Sequence, residues 1–347
     1  MHTYVTRTEH ISPSELDDWL ARGWYRVGRL MMTCRFAVNG DAVRSTIWTR
    51  VPLDGPDPLA RSHRKLIRRV ELRFRVEFAK GAGDARHEAL YTRYLEVARG
   101  DRPQTLAAFL NGASDGDLFD TRCLSLWEGD RLAGFSLFDV GADSAQSLIA
   151  AYDPELARYS LGLVTLLLET RWARRQGLHF HYAGYVVPGG TPSMDYKLRP
   201  RGVEYLDPAT LVWRPWAESA GVTWPAEMVY RRLEEAARRL QEAGFKPILR
   251  VNPHYDIGAG QPALDRCLAE PLGLDCMPHE EGKTRLLATW NLEDQSYDLL
   301  HVALARARFV REDGGDGRVI DVWVVVKRLA TAPSAEALEA EVRGVLA

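Results

Sequence analysis

Residues Cys123 to Trp213 decide the fold: CLSLWEGDRLAGFSLFDVGADSAQSLIAAYDPELARYSLGLVTLLLETRWARRQGLHFHYAGYVVPGGTPSMDYKLRPRGVEYLDPATLVW. Leu124–Trp127 and Leu132–Asp139 run apolar on either side of Glu128-Gly129-Asp130, the turn chemistry of a hairpin. A third strand, Ser147–Tyr152, closes at Asp153-Pro154, where proline removes a ladder donor and Ser160 is placed to cap a helix. From Leu161 to Gln176 apolar residues recur at helical spacing, Gly177 stops the helix, and His179–Val187 returns as a strand parallel to the one before the helix.

A meander followed by a crossover helix and a parallel strand resembles the layout of the GNAT acyltransferases. Working outward, Tyr152-Asp153-Pro154, Ser160-Leu161-Gly162, Tyr182-x-Gly184-Tyr185, Met194-x-Tyr196-Lys197 and Leu211-Val212-Trp213 resemble, in order, the C-terminal half of the aminoacyl-tRNA-protein transferases. Those arginyl- and leucyl-transferases add an amino acid to a protein's N-terminus. The fold class expected is α+β: residues 1–101 an N-terminal α/β lobe, 102–215 a GNAT-like catalytic domain, and 216–347 a C-terminal α/β extension.

The N-terminal region carries part of the same resemblance. Ser12 to Leu20 reads as a capped helix ended by Gly23, and Gly23, Trp24, Arg26 and Gly28 fall in step with a family passage. The family's cysteine cluster is reduced here to Cys34, and one thiolate does not make a zinc or iron-sulfur site. Arg44–Val51 alternates as a strand, and Ser62 to Arg69 is a basic helix start of the kind the family has at this place. Val70–Phe78 alternates as another strand, and His87–Arg99 reads as a helix with Tyr91 and Tyr94 on one stripe, core before site.

The whole chain sets limits. Its 347 residues carry a net charge of −2, so a tRNA would have to meet a local basic face rather than a basic protein. Two clusters qualify: Arg61 to Arg69, and Arg171, Arg174 and Arg175 with Arg199 and Arg201. Taken singly, such runs are usually solvated helix faces. Four scattered cysteines and an N-terminus with no apolar h-region point to a reducing, cytoplasmic setting.

An aminoacyl ester is already activated, so an enzyme that passes it to an amine needs chiefly to position the partners. An α-amino group titrates at about 7.7 to 8.0, so deprotonation near pH 7 costs only about 1 to 1.4 kcal/mol, whereas positioning supplies about 7 kcal/mol or more. No Ser-His-Asp set or HExxH is legible, and none is required. The resemblance implies catalytic roles for Asp139, Tyr182, Gly184 and Tyr185. Asp139 would hold the donor's amino group or relay a proton, Gly184 would leave backbone open beside the acyl group, and Tyr182 and Tyr185 are expected on opposite faces of their strand. It implies aminoacyl-tRNA binding by Ser160, Leu161 and Gly162 at a helix N-terminus and by Arg64, Lys65 and Arg68, and acceptor binding by Tyr196, Lys197 and Arg26. Aminoacyl-tRNA would be the co-substrate, with no cofactor and no metal, and the acceptor a protein or peptide with an acidic N-terminal residue. His179 and His181 read as satisfied strand residues.

Beyond Pro215, Ala226–Ala243 is an amphipathic helix, followed by strands at Pro247–Val251, Thr284–Trp290 and Val319–Lys327, a helix around Ala263–Leu272 and another at Ser334–Val345, with a Gly314–Gly317 loop tip. His254, Asp256, His279 and Glu280 read as surface. Two other functions stay open: a GNAT N-acyltransferase using a carrier thioester, and a non-catalytic tRNA- or degron-binding homologue.

Overall fold

The hairpin that opens the deciding stretch forms as its turn residues dictate. Glu128 pairs with Arg131 across Gly129-Asp130, and Gly129 takes the positive φ of 61° that favours glycine. The structure, a computed structural model, describes residues 2–7, 10–98, 103–110, 118–190, 192–259, 261–277, 283–309 and 318–346. The Gly314–Gly317 tip, His279 and Glu280 lie outside them.

The chain divides into two compact units. The larger comprises residues 6–33 and 47–220. Its eight-stranded sheet runs, edge to edge, Trp213–Pro215, Glu204–Leu206, Ile47–Pro52, Phe180–Val186, Ser144–Tyr152, Arg131–Val140, Asp120–Glu128 and Arg75–Lys80. The Leu161–Arg175 helix makes the crossover between Ser144–Tyr152 and Phe180–Val186, which pair in parallel. One face of the sheet buries that helix (Val164, Leu167, Leu168) together with Ile67 and Val70 of the Arg61–Glu71 helix. The other face buries Leu90 and Tyr91 of the Ala85–Leu95 helix and Leu16 and Leu20 of the Pro13–Ala21 helix. At the last of these, Ser12 and Glu15 form a reciprocal capping box.

The smaller unit, residues 1–5, 34–46 and 221–347, is a five-stranded antiparallel sheet. Its strands are Ile248–Val251, Leu272–Asp275, Thr284–Asn291, Ser296–Phe309 and Arg318–Ala332. The helices Pro225–Glu242 and Ala335–Leu346 pack on it through Val229, Leu233, Leu240, Leu338 and Val342, and the hairpin Phe36–Asn39/Ala42–Ser45 adds Phe36 and Val43 to the same core.

Three expectations are corrected. Residues 1–101 are not a lobe of their own: Ile47–Pro52 and Arg75–Lys80 are strands of the same sheet as residues 120–186, and Phe36–Ser45 belongs to the C-terminal body. Val70 lies in the last turn of a helix rather than at the start of a strand, because Ile67 and Val70 line one buried helical stripe. Where a helix was expected at Ala263–Leu272, the chain has a 3-10 turn at Pro262–Leu264 and then runs extended beside Arg318–Ala332, with Leu268 N–H donating to the Trp323 carbonyl at 2.7 Å.

Candidate active site

The parallel pair at the middle of the large sheet opens. Ser144, Ala145 and Gln146 lie opposite Phe180, His181 and Tyr182, and there the pairing ends, although the strands continue to Tyr152 and Val186. Each strand carries a bulge just beyond, at Ser147–Ile149 and at Tyr182–Gly184. A bulge bends its strand and frees ladder groups, so two facing bulges part the strands and leave a wedge of unpaired backbone.

Both places that the sequence singled out border this wedge. Gly162, in the first turn of the crossover helix, lies 3.7 Å from the Tyr152 ring at the end of one strand, measured from where a Cβ would stand. Lys197 reaches the other strand: its Nζ donates to the Tyr185 carbonyl at 3.1 Å and lies 5.5 Å from the Tyr185 ring centre. Ser160 is exposed and does not cap the helix through its side chain. It takes a left-handed φ of 54° and makes no side-chain cap hydrogen bond, because the 3-10 turn Pro154–Tyr159 runs straight into it.

The bulge also overturns the expected alternation of the tyrosines. Tyr182 faces Arg50 and Tyr185 faces Trp48 across the sheet, and positions 48 and 50 share a face, so both rings lie on one side. Gly184 has φ 88°, its carbonyl accepts from Thr49 Oγ1 at 2.8 Å, and a Cβ there would stand 3.1 Å from Lys197 Nζ. The space beside it is held by an ammonium rather than left open. Gly184→Ala is therefore expected to cost about 1–2 kcal/mol of stability from the left-handed backbone alone and to displace Lys197; an unchanged urea midpoint would contradict this.

Beside the wedge is a narrow crevice walled by Leu20, Trp24, Tyr25, Trp48, Tyr182 and Trp213, with Gln146 at its lining. Gln146 is 2% exposed and its Oε1 has no hydrogen-bond partner among the described residues. Sequence reading missed this residue, since a glutamine within a strand carries no signal. Burial pushes the Tyr182 phenol up, and its hydrogen bond to Arg50 pulls it back. Arg50 is held by Glu204 at 2.7 Å and stacks on Phe180 and Trp213.

Asp139 and Arg26 come together, but as a buried pair rather than as open binding groups. Asp139 is fully buried; Arg26 Nη1 approaches its two oxygens at 3.0 and 3.2 Å, and Thr121 Oγ1 donates at 2.7 Å. Arg26 also donates to the Gly28 carbonyl and lies over the Phe119 ring. Burial pushes the Asp139 carboxyl up against the pull of Arg26 and Thr121. With both partners occupied, neither is open to a donor amine or an acceptor peptide.

The two basic clusters, about a hundred residues apart in sequence, converge. Asp57 pairs with Arg64 at 2.6 Å and with Arg174 at 3.6 Å, Arg201 N–H donates to the Pro58 carbonyl, and Arg171 pairs with Glu71. Burial and the charges of Arg201 and Arg199 lower the His63 imidazole from its ordinary value. Arg64 is spent on Asp57 and the Leu59 carbonyl, whereas Lys65 and Arg68 are exposed on the same helix. Tyr196 is part-buried in the turn that carries Lys197.

Two hydrogen-bonded Ser-His-carboxylate lines exist that the sequence did not disclose. In Asp84–His87–Ser125, the His87 Nδ1 lies 3.0 Å from the Asp84 backbone nitrogen and 2.8 Å from its carboxylate, and Nε2 lies 2.9 Å from Ser125 Oγ. His87 and Ser125 are both 5% exposed, and the line locks a helix start. The second, Glu169–His181–Ser147, lies at the wedge. His179, by contrast, is exposed and paired with Asp54. Cys34 is buried beside Thr46, and the described residues hold no group of three metal-ligating side chains.

Residues 86–207 match the family described as arginine-tRNA-protein transferase, C terminus. Over those residues the chain is similar to the C-terminal part of that family. An aspartate/glutamate leucyltransferase of Ruegeria pomeroyi is 33% identical over 158 residues, 42% of this chain and 54% of that protein. One from Stenotrophomonas maltophilia is 29% identical over 51% of this chain and 76% of its own length. Among solved structures, FemX overlaps 51% of this chain and 61% of its own, at 10% identity and a TM-score of 0.32. The family match takes in the hairpin, the wedge, the crossover helix and the Lys197 turn, and leaves out the five-stranded unit.

Proposed function

We propose that the protein is an aminoacyltransferase that moves an amino acid from aminoacyl-tRNA to the N-terminal amine of a protein or peptide, on a GNAT-like core. The observation that supports this best is the parting of the parallel strands beyond Gln146 and Tyr182, within the family match, with a helix N-terminus at one lip and the Lys197 ammonium at the other. The unpaired N–H groups of the first helical turn suit a phosphate near the tRNA 3′ end, and Gly162 lets it approach. The acyl carbonyl lies in the wedge, where free backbone N–H groups polarise it. The acceptor, beginning with an acidic residue, meets Lys197. Aminoacyl-tRNA is the co-substrate, no cofactor takes part, and the reaction is cytoplasmic. No helix among the described residues is long and apolar enough to cross a membrane.

The deciding experiment is single-turnover transfer from labelled Leu-tRNA and Arg-tRNA to peptides beginning with Asp or Glu, with acyl-CoA thioesters as a control. Consumption of thioester alone would replace this reading with that of a thioester N-acyltransferase, and tRNA binding without transfer would make the protein a binding homologue. Lys65→Glu with Arg68→Glu is expected to weaken tRNA binding at least tenfold and to reduce the slope of log affinity against log salt by about 1 to 2, since each lost phosphate contact removes roughly 0.7 to 0.9. An unchanged slope would take these two residues off the tRNA surface.

A further inference from the structure

The fully buried His181 sits where its protons can be counted. Its Nδ1 lies 2.9 Å from Thr170 Oγ1, and that hydroxyl gives its single hydrogen to the Leu166 carbonyl at 2.8 Å. Toward the ring Thr170 can only accept, so Nδ1 carries a hydrogen. The other nitrogen, Nε2, lies 3.0 Å from Ser147 Oγ and 3.2 Å from Glu169 Oε2, and Ser147 is hydrogen-bonded to the same carboxylate oxygen. Ser147 has one hydrogen to give. With a bare Nε2 and an ionised Glu169, the contact between them would set lone pair against lone pair in a site where Glu169 is 2% exposed. A further hydrogen shared among Nε2, Ser147 Oγ and Glu169 Oε2 would remove that clash.

The cluster's placement gives that hydrogen a use. Ser147 is the first residue beyond the last parallel pair, it starts the bulge that opens the wedge, and it is only part-buried, whereas His181 and Glu169 lie beneath it. We infer that Ser147, backed by Glu169 and His181, is the proton port of the transfer reaction. This rests on the aminoacyl-transfer reading. The acceptor's amine nitrogen attacks the ester carbonyl carbon and forms the C–N bond. The bond from that carbon to the ribose oxygen then breaks, and the departing oxygen takes the hydrogen of Ser147 Oγ, which the cluster replaces. The new amide nitrogen, still carrying its extra proton, returns one to Ser147, and the cluster ends as it began. The Ser147 hydroxyl is the catalytic group; Glu169 and His181 act through it as positioning and proton-holding residues.

The test compares Ser147→Ala, Glu169→Gln and their double variant in single-turnover transfer at saturating peptide. Each single substitution is expected to slow the step about tenfold while the peptide KM and charged-tRNA Kd stay within twofold. The double variant should be no slower than the slower single, and Ser147→Thr should recover most of the rate. Thermal melts within a few degrees of the wild type identify variants that fold. Nitrogen-15 NMR of His181 provides a readout independent of activity: hydrogen on Nδ1 is expected in the wild type. Wild-type rates in both singles, losses that multiply in the double, or a neutral ring with Nδ1 bare would overturn the inference. A wild-type protein that transfers no aminoacyl group would sink the transfer reading and the port with it, while the NMR result would still decide on its own which ring nitrogen of His181 carries hydrogen.

Discussion

Asp139→Ala is expected to lower stability by about 3–5 kcal/mol, the usual result of removing one partner from a buried ion pair. The loss follows from what remains: Arg26, 5% exposed, would keep its charge among Phe119, Thr121 and the Gly28 carbonyl with no anion to balance it. Arg26→Ala should cost a similar amount, since it strands the carboxylate instead. Replacing both by apolar residues should cost less than either single change, because no unpaired charge is left in the interior. Urea denaturation of the four proteins measures all three statements, and two independent single losses that add in the double variant would contradict the pairing. Asp139→Asn separates folding from chemistry, since the amide keeps an acceptor for Thr121 Oγ1. If Asp139 acted on the donor's amino group, transfer by the folded Asn variant would collapse; the buried pairing predicts that the folded fraction retains activity.

Much of the large unit could be read from local pattern. The hairpin across Gly129, the crossover helix and the parallel return strand follow from period-2 and period-3.6 spacing punctuated by glycine and proline. What sequence could not disclose was pairing at long range. Nothing in Ile47–Pro52 says that it lies against Phe180–Val186, so the N-terminal strands read as a separate lobe. Bulges were equally hidden: one extra residue between Tyr182 and Gly184 puts both tyrosines on one face, where strict alternation separates them. The same holds for the site. Lys197 and Gly184 were legible because they stand in short motifs, whereas Gln146 and the Ser147–His181–Glu169 cluster are assembled by tertiary contacts from a strand, a helix and a second strand. Asp139 and Arg26 pair with each other, which sequence did not disclose, because a carboxylate at a strand end reads the same whether it faces a ligand or an arginine brought from 113 residues away.

Lys197→Ala is expected to reduce kcat/KM toward peptides beginning with Asp or Glu at least tenfold, about 1.4 kcal/mol or more in transition-state terms. Its Nζ is anchored on the Tyr185 carbonyl over the tyrosine ring, which fixes one positive charge at the lip of the wedge instead of leaving it on a mobile stem. An acidic side chain at the acceptor's first position would meet that charge as its amine enters the wedge, a neutral one would not. The effect should therefore be selective: peptides beginning with Asn or Gln should be poor substrates for the wild type and should lose little more in the variant. Lys197→Arg tests geometry, since a planar guanidinium keeps the charge but not the compact ammonium that fits beside Gly184. Equal kcat/KM values for Asp and Asn peptides in the wild type would remove Lys197 from acceptor recognition. A uniform loss across all peptides in Lys197→Ala would instead place its charge beside the oxyanion that forms in the wedge, since every acceptor passes through that intermediate whatever its first side chain.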